Sequence, residues 1–369
     1  MRSLERGKRY ESLTSDITRI AYAYGFSAAP VAISKKALAD SGPERDAKTA
    51  AAMALMDAGG IPTKIPTQSW GLARRGAGTV IAFAITATRE AIAHAIVVKT
   101  ALSIAELSGY TDLTVLISSV GDLESRKRFT HELANFFRKH HDAVPPELKH
   151  LAAHNPDAAY RALVEKNDEV LSRAPRSIDY LSESSRKTML SALSLFESVG
   201  IPYAMHPRLP ASPGVNSEIL FAIEGTDKSG NRVRVATGGR YDEHMKHERG
   251  KPGNAIAISV EVPERIEYEA PKEKPMCFVV HVGNAAKLRA FSVLEALWRA
   301  NVAVGQVLMA ENLREQMLEG AGIKAKYIAI IGQREALDNT VIVRNTATQM
   351  QTTIPLDKLT GYIARGHRT

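Results

Sequence analysis

Apolar residues recur at helical spacing in several long stretches of the chain, and each stretch predicts a helix. These stretches are residues 5–24, about 89–108, most of 123–197, and 188–199. Within the third, Phe129, Leu133, Phe136 and Phe137 form one apolar stripe surrounded by basic residues, which is typical of an amphipathic helix. This part of the chain is therefore predicted to be mainly helical.

The period changes to alternation further along, which predicts strands. Single strands are predicted at 80–86, 114–121 and 253–260, and a hairpin at 218–237 turns at G-T-D-K-S-G-N. Residues 43–79 contain paired glycines, prolines and R-R-G-A-G-T, so we expect loops around short strands there. The pattern as a whole predicts an antiparallel sheet with helices packed against it.

A Pro- and Lys-rich segment, E-A-P-K-E-K-P at 269–275, predicts a linker. Strands and helices alternate after it, which is typical of a compact α/β domain with a mostly parallel sheet. The chain therefore divides into a core at 1–268, the linker, and a domain at 276–369.

Composition limits the compartment and the partners. The chain has 369 residues, one cysteine and a net charge of +8. One cysteine excludes an internal disulfide, and no apolar run reaches the roughly 18 residues that span a bilayer, so we expect a cytoplasmic protein without membrane contact. The positive charge favours a polyanion such as RNA, although a basic soluble surface alone would also account for it. Cys277 opens an apolar strand and is predicted to be buried.

The stretch A-T-G-G-R-Y-D-E-H, residues 236–244, is the main candidate for a small-molecule or nucleotide site. Gly238, Gly239, Arg240 and Tyr241 supply backbone access, a cation and an aromatic ring. The alternative that we favour is a tight turn leading into a helix, with Arg240 paired to the nearby Asp242. His244 and His247 have helical spacing, but no third ligand follows them, so no metal site is predicted.

Four stretches resemble the histidyl-tRNA synthetase family of class II aminoacyl-tRNA synthetases. They are 118–129 with 174–186, then 200–209, then A-T-G-G-R-Y-D at 236–242, and G-Q-R-E-A-L-D-N-T-V-I-V-R-N at 332–345. The resemblance implies an α+β fold: a class II antiparallel core with a helical insertion at about 123–185, followed by an anticodon-binding-like α/β domain. It also implies a homodimer.

The family's activity implies ATP-dependent activation of histidine and its transfer to tRNA, for which arginines and magnesium hold the phosphate charge. In the family's last active-site strand, Glu261 matches the acid but Ser259 replaces a glycine and Val262 replaces the phosphate-binding arginine. Valine donates no hydrogen bond to phosphate. We therefore expect no two arginines to converge on a phosphate-sized pocket beside Gly238.

The family's histidine-binding loop and its second motif are altered as well. Ala211 takes the place of the loop's arginine, and Val215 and Asn216 take those of two tyrosines. In the shortened second motif, Arg74 and Arg75 are the candidates for phosphate binding, with an exposed basic turn as the alternative. With Gly238, Gly239, Arg240, Tyr241 and Glu261 they form the candidate substrate site; ATP and Mg²⁺ would be cofactors only if the ligase activity were retained.

The last domain offers candidate contacts to tRNA. Cations for the phosphates are Arg314, Lys324, Lys326, Arg334 and Arg344, while Gln333 and Asn345 are candidates for hydrogen bonds to splayed bases. For each residue taken singly, an ordinary polar surface position is the alternative.

Three functions remain open on the sequence. The first is a synthetase-like, tRNA-binding protein with a degenerate adenylate-forming site. The second is an active histidine–tRNA ligase in which Arg74, Arg75 or Arg265 supplies the missing charge. The third is a regulatory paralogue similar to the ATP phosphoribosyltransferase accessory subunit, against which the C-terminal domain counts.

Overall fold

The computed structural model describes residues 2–29, 33, 46–58, 65–166, 168–212, 214–249, 253–270 and 274–365. The chain divides into two compact units. One comprises Ala29–Thr67 with Gly71–Pro263, and the other Met1–Ala28, Gln68–Trp70 and Glu264–Thr369. The first helix of the chain thus groups with the C-terminal unit rather than with the large sheet.

The helices and strands follow in chain order. The helices are α1 Arg2–Ala23, α2 Ala47–Ala58, α3 Ile92–Leu107, α4 Leu123–Lys139, α5 Pro146–His154, α6 Pro156–Lys166, α7 Glu183–Ser198, α8 Asp242–Arg249, α9 Asn284–Arg299, α10 Leu313–Ile323, α11 Gln333–Asp338 and α12 Leu356–Arg365. The strands are β1 Ser27–Ala28, β2 Thr67–Arg75, β3 Gly78–Thr86, β4 Thr111–Gly121, β5 Tyr203–Met205, β6 Ser217–Thr226, β7 Arg232–Arg240, β8 Ala255–Val262, β9 Cys277–His281, β10 Val304–Gln306, β11 Tyr327–Ile331, β12 Thr340–Asn345 and β13 Gln351–Pro355.

The larger sheet has eight strands in the order β1-β2-β3-β8-β7-β6-β4-β5. Its central pairs, β3 with β8, β8 with β7, β7 with β6 and β6 with β4, are all antiparallel. The predicted hairpin at 218–237 is therefore confirmed as β6–β7. The α+β class and the antiparallel core are confirmed with it.

The prediction of loops around short strands at 43–79 was wrong. Within the described part of this stretch lie helix α2 and a long hairpin, β2–β3, closed by Gly76 and Ala77. Gly76 has a φ of +59°, which glycine adopts without strain. The helix was missed because A-K-T-A-A-A-M-A-L-M-D-A is apolar almost all round, and periodicity does not reveal such a helix although alanine favours it.

Helix α2 covers one face of the sheet. Leu55 and Met56 on the helix pack with Ala82 on β3 and Ala257 on β8 in one buried cluster. The alternate residues of β8, such as Ile258, point to the other face and are also fully buried. The sheet is therefore covered on both faces at strands β3 and β8.

The helical insertion has its own core. The predicted stripe of Phe129, Leu133, Phe136 and Phe137 is buried and packs with residues of α5 and α6, including Leu163. Asp122 starts α4, and its carboxylate accepts a hydrogen bond from the Ser125 amide at 2.9 Å. The insertion is thus a packed module rather than a loop.

The C-terminal sheet has the strand order β10-β9-β11-β12-β13. Strands β10, β9 and β11 are parallel, but β12 and β13 run antiparallel to their neighbours, so the prediction of a mostly parallel sheet was wrong for this half. The reason is the length of the connections. Only the six-residue α11 and its flanking turns join β11 to β12, whereas a parallel crossover needs about a dozen residues.

The insertion core gives a test of this packing. Leu133→Ala removes a side chain with no exposed surface from the cluster, and we expect the free energy of unfolding to fall by about 2–5 kcal/mol. Leu190→Ala on α7 is the matched control, because Leu190 is 59% exposed and should cost far less. Urea unfolding of both variants measures the loss in the free energy of unfolding. Equal losses would contradict a packed core in the insertion.

Candidate functional site

The A-T-G-G-R segment forms the end of β7, so the prediction of a tight turn was wrong. Strand β7 runs to Arg240, and α8 begins at Asp242. The glycines have a packing reason: a Cβ on Gly238 would collide with the Ala257 carbonyl oxygen of β8. A side chain at this position would force the two strands apart.

The predicted local pairing of Arg240 with Asp242 is confirmed. Nε and Nη2 of Arg240 donate to the two carboxylate oxygens of Asp242 at 3.1 and 2.9 Å, and Nη2 also donates to the Thr88 carbonyl at 3.0 Å. The Arg240 side chain is 3% exposed. This guanidinium therefore holds the end of β7 and is not presented to a ligand.

Two residues near Arg240 are also enclosed in the protein interior. Tyr241 has no exposed surface and packs in the core beneath α2, where burial raises the pKa of its hydroxyl. His94 of α3 is fully buried, and burial together with the charge of Arg240 lowers its pKa to about 3. Its Nδ1 lies 3.0 Å from the Ala91 carbonyl. Both groups stay neutral at ordinary pH.

A cavity of about 230 Å³ borders Gly238. The start of α2, helix α6, the loop before β6, and strands β6 and β7 form its walls. The residues that line it are Asp46, Thr49, Arg161, Glu165, Leu209, Pro210, Ser212, Asn216, Leu220, Phe221, Ala222, Arg234, Thr237 and Gly238. This cavity is the candidate substrate cleft of the large unit.

Two arginines line this cleft, so the expectation of no such pair beside Gly238 was wrong. Arg161 donates to Glu165 at 3.0 Å and to the Ser212 hydroxyl at 3.1 Å. Arg234 donates to Glu224 at 3.4 Å. Arg161 comes from the helical insertion, and nothing in the sequence marks it as a neighbour of Gly238. Each guanidinium thus has a carboxylate of this chain beside it.

The sheet surface near the cleft carries hydroxyl groups. Thr237 of β7 lies opposite Ser259 of β8, the residue that replaces the family's glycine. Both hydroxyl oxygens are buried, and neither has a hydrogen-bond partner within the described parts of the chain. These groups can donate single hydrogen bonds but carry no charge to place against a phosphate.

Glu261 and the second-motif arginines lie at the β2–β3 turn. Arg75 donates to Glu261 at 2.7 Å, and Lys48 of α2 donates to the same oxygen at 3.1 Å. Val262 beside it has no exposed surface, and Arg74 is exposed. Arg265 pairs with Glu267 at 2.8 Å on the surface. Glu261 and Arg75 thus contact each other, but neither lines the cleft beside Gly238.

The described residues that line this cleft offer no excess of positive charge to ATP with Mg²⁺. The charges that line the cleft cancel, because two arginines face Asp46 and Glu165. Over the described ranges, no group of three or more His, Cys, Asp or Glu side chains is placed to hold a metal ion. The ring of His244 contacts the carboxylate of Asp57 at 2.9 Å.

In the other unit, burial raises the pKa of the Cys277 thiol to about 12.

The candidate tRNA contacts do not all lie close together. Because β11 and β12 are antiparallel, Lys324 and Lys326 before β11 lie at the same end as Arg344 and Asn345, and Asn345 pairs with Tyr327. Gln333 and Arg334 follow β11, so they lie at the other end of that strand. Arg314, at the start of the helix that leads to Lys324, is distant from the first group as well. We call Lys324, Lys326 and Arg344 the basic end.

Several of these residues also have local structural partners. Asn345 accepts hydrogen bonds from the amides of Ala347 and Thr348 at 2.9 and 3.1 Å, and Arg344 donates to Gln349. Arg334 is 87% exposed and pairs with Asp338. Lys326 lies 5.9 Å from the centre of the Tyr327 ring. Asn345 therefore shapes the turn between β12 and β13.

Parts of the chain are similar in sequence to known proteins. Residues 276–365 match the family described as Anticodon binding domain. Over 275 residues the chain is 27% identical to the histidine–tRNA ligase of Geobacillus kaustophilus, and over 277 residues it is 30% identical to that of Fervidobacterium nodosum. Each match covers 72% of this chain and 65% of the relative, so the chain spans less than two-thirds of these proteins' length.

The fold agrees with a solved structure. The apo histidyl-tRNA synthetase of S. aureus superposes with a TM-score of 0.54 at 21% identity, covering 97% of this chain and 96% of that one. The antiparallel core and the anticodon-binding domain define a class II aminoacyl-tRNA synthetase fold. Within that class of fold, the chain is similar in sequence to histidine–tRNA ligases, and its residues 276–365 match the anticodon-binding family. Among the described helices, none is both long and apolar enough to cross a bilayer.

The buried His94 gives a pH-dependent test. Its pKa is about 3 in the folded protein and about 6.5 when unfolded, so below pH 6.5 only the unfolded state takes up the proton. The stability that neutral His94 provides is thus complete above pH 6.5 and is lost as the pH falls towards 3, by up to about 1.4 kcal/mol per pH unit. In His94→Phe, this slope should flatten in urea unfolding between pH 7 and 4. The control His141→Phe changes a 62% exposed ring and should keep the wild-type slope.

Proposed function

We propose that this protein is a histidyl-tRNA synthetase-like protein that binds tRNA and has a degenerate adenylate-forming site. The observation that supports the degenerate site is the pairing of Arg161 with Glu165 and of Arg234 with Glu224 in the cleft beside Gly238. In each pair, the carboxylate lowers the positive potential that the arginine offers to the phosphates of a nucleotide.

The energetic reason is the charge of the reacting group. Formation of an adenylate places negative charge on the phosphates, and fixed cations normally stabilise that charge in the transition state. Here the lining charges cancel, Val262 is buried and uncharged, and Arg240 is enclosed. In this proposal, ATP and Mg²⁺ are not cofactors.

Binding of tRNA is supported by the C-terminal unit and by charge. Residues 276–365 match the anticodon-binding family, and the chain carries a net charge of +8. The basic end brings three cations to one end of the sheet, where phosphate contacts need only positive side chains within reach. The proposal includes a homodimer in the cytoplasm, by analogy with the family.

One observation favours the alternative of an active ligase. Arg161 brings a guanidinium from the insertion to the loop where Ala211 replaces the family's arginine, and it contacts Ser212 of that loop. If substrate displaced Glu165, Arg161 could hold a carboxylate or phosphate. We rank this second because the cation has its partner already.

The chemistry is tested by ATP–pyrophosphate exchange with histidine. We expect no histidine-dependent exchange above the no-enzyme background, because the described residues that line the cleft include no uncompensated cation. Arg161→Gln and Arg234→Gln serve as controls against a contaminating host synthetase, which neither substitution would affect. Robust exchange by the purified protein that both substitutions abolish would establish the ligase and overturn the degenerate site.

The partner is tested by tRNA binding at several salt concentrations. We expect the logarithm of the binding constant to fall linearly with that of the salt concentration. Lys324→Gln with Lys326→Gln should reduce this slope by up to about 0.9 for each phosphate that the two lysines neutralise in the wild type. Lys187→Gln with Lys358→Gln is the matched control outside the basic end, and its slope should stay the same. A chain that binds no tRNA at low salt would contradict the proposal and favour a regulator that contacts protein.

A further inference from the structure

The unit that contains α1 and the C-terminal residues encloses a cavity of about 680 Å³, separate from the cleft beside Gly238. One wall is α1 with the turn after it, and the others are β10 with its flanking residues and the end of α10. Polar residues in its lining are Asp16, Arg19, Tyr22, Lys274, Gln306 and Glu319. None of them belongs to the candidate tRNA contacts at the surface of the sheet.

Gln306 lines this cavity, and its side chain carries a hydrogen-bond donor that has no acceptor among the described residues. Its side-chain oxygen accepts from the Leu308 amide, and since a backbone amide only donates, the orientation of the side-chain amide is fixed. The Nε2 donor is buried, and within the described residues no acceptor lies in range; the residue as a whole is 4% exposed. A buried donor that has no acceptor is unfavourable, because it has lost its hydrogen bond to water.

Arg19 also lines this cavity, and its side chain has one donor without an acceptor among the described residues. Its Nη2 pairs with Asp16 at 3.2 Å and its Nη1 donates to Asn301, while the guanidinium lies 5.3 Å from the centre of the Trp298 ring. These contacts hold the side chain in place. Its Nε is buried and has no acceptor in the described part of the chain. A ligand that offers two acceptors would therefore satisfy two groups at once.

The other residues that line the cavity indicate which kind of ligand would supply the two acceptors. Asp16 and Glu319 balance Arg19 and Lys274, so the cavity suits an uncharged group rather than an anion. Tyr22 is half-buried and Phe26 is buried in the wall, and aromatic rings favour a planar partner. Gly25, with a φ of +84°, lies so close to Gln306 Nε2 that any side chain at this position would collide with it. Glycine at this position therefore leaves room for the Gln306 side-chain amide.

We propose that this cavity binds one nucleobase, whose ring nitrogens or carbonyl oxygens accept from Gln306 Nε2 and Arg19 Nε. Nucleobases are planar, uncharged and rich in acceptors, and single-stranded RNA presents them splayed from the stack. The base comes either from RNA, in which case the inference rests on the proposed RNA binding, or from a free nucleoside. Helix α1, outside the matched anticodon-binding residues, then forms part of the site.

The test uses the full chain with two kinds of probe. The four ribonucleosides are titrated by calorimetry, and fluorescein-labelled octamers of rU, rA, rC and rG by anisotropy. Gln306→Met removes the donor, and Ala303→Phe fills the cavity from its wall without touching either donor. The matched controls are Gln351→Met and Ala300→Phe, which change exposed residues of the same unit. Thermal unfolding verifies that each variant is folded.

We expect at least one base to bind, and both pocket variants to weaken it about tenfold or more while both controls stay within about twofold of wild type. A nucleoside that binds and is lost in both pocket variants while the octamers do not bind supports the pocket and counts against the RNA function. Octamers that bind wild type and folded pocket variants equally overturn the pocket and leave the RNA function intact. Absence of binding by every probe overturns the pocket as well.

Discussion

The buried ion pair of Arg240 and Asp242 connects the parts on which the large unit depends. Arg240 ends β7, Asp242 begins α8, and the same carboxylate accepts a hydrogen bond from the Ala255 amide at the start of β8. The guanidinium reaches the Thr88 carbonyl after β3 as well. A charge taken out of water is tolerated only with full pairing, so these four segments must stay in register around it.

The same principle determines the chemistry of the cleft. Arginines near the sheet are held by carboxylates of the chain, as with Arg161 by Glu165 and Arg75 by Glu261. In the proposed function, these carboxylates are the partners of the arginines in place of the phosphates of a nucleotide. The fold of the family persists because glycine contacts, hydrogen bonds and apolar packing maintain it, and none of these requires the catalytic charges.

Local patterns predicted much of the fold. Alternation around G-T-D-K-S-G-N predicted the β6–β7 hairpin, and the stripe from Phe129 to Phe137 predicted the insertion core. Helix α2 was not predicted because its residues are apolar on almost every side, so no helical period is visible. The direction of β12 depends on connection length rather than on periodicity. Arg161 was missed in the candidate site because its position in the cleft results from tertiary packing, which leaves no local signal.

The hydrogen bond from Arg161 to Ser212 has a consequence for how this chain diverges. The insertion packs around its own apolar cluster, so by itself it could change or shrink while the sheet remained intact. The bond to Ser212 ties one of its helices to the loop that faces the cleft. A substitution in the insertion can therefore affect the loop before β6, and a substitution in that loop can affect the insertion. The composition of the cleft thus depends in part on the insertion, which contributes no strand to the sheet within the described residues.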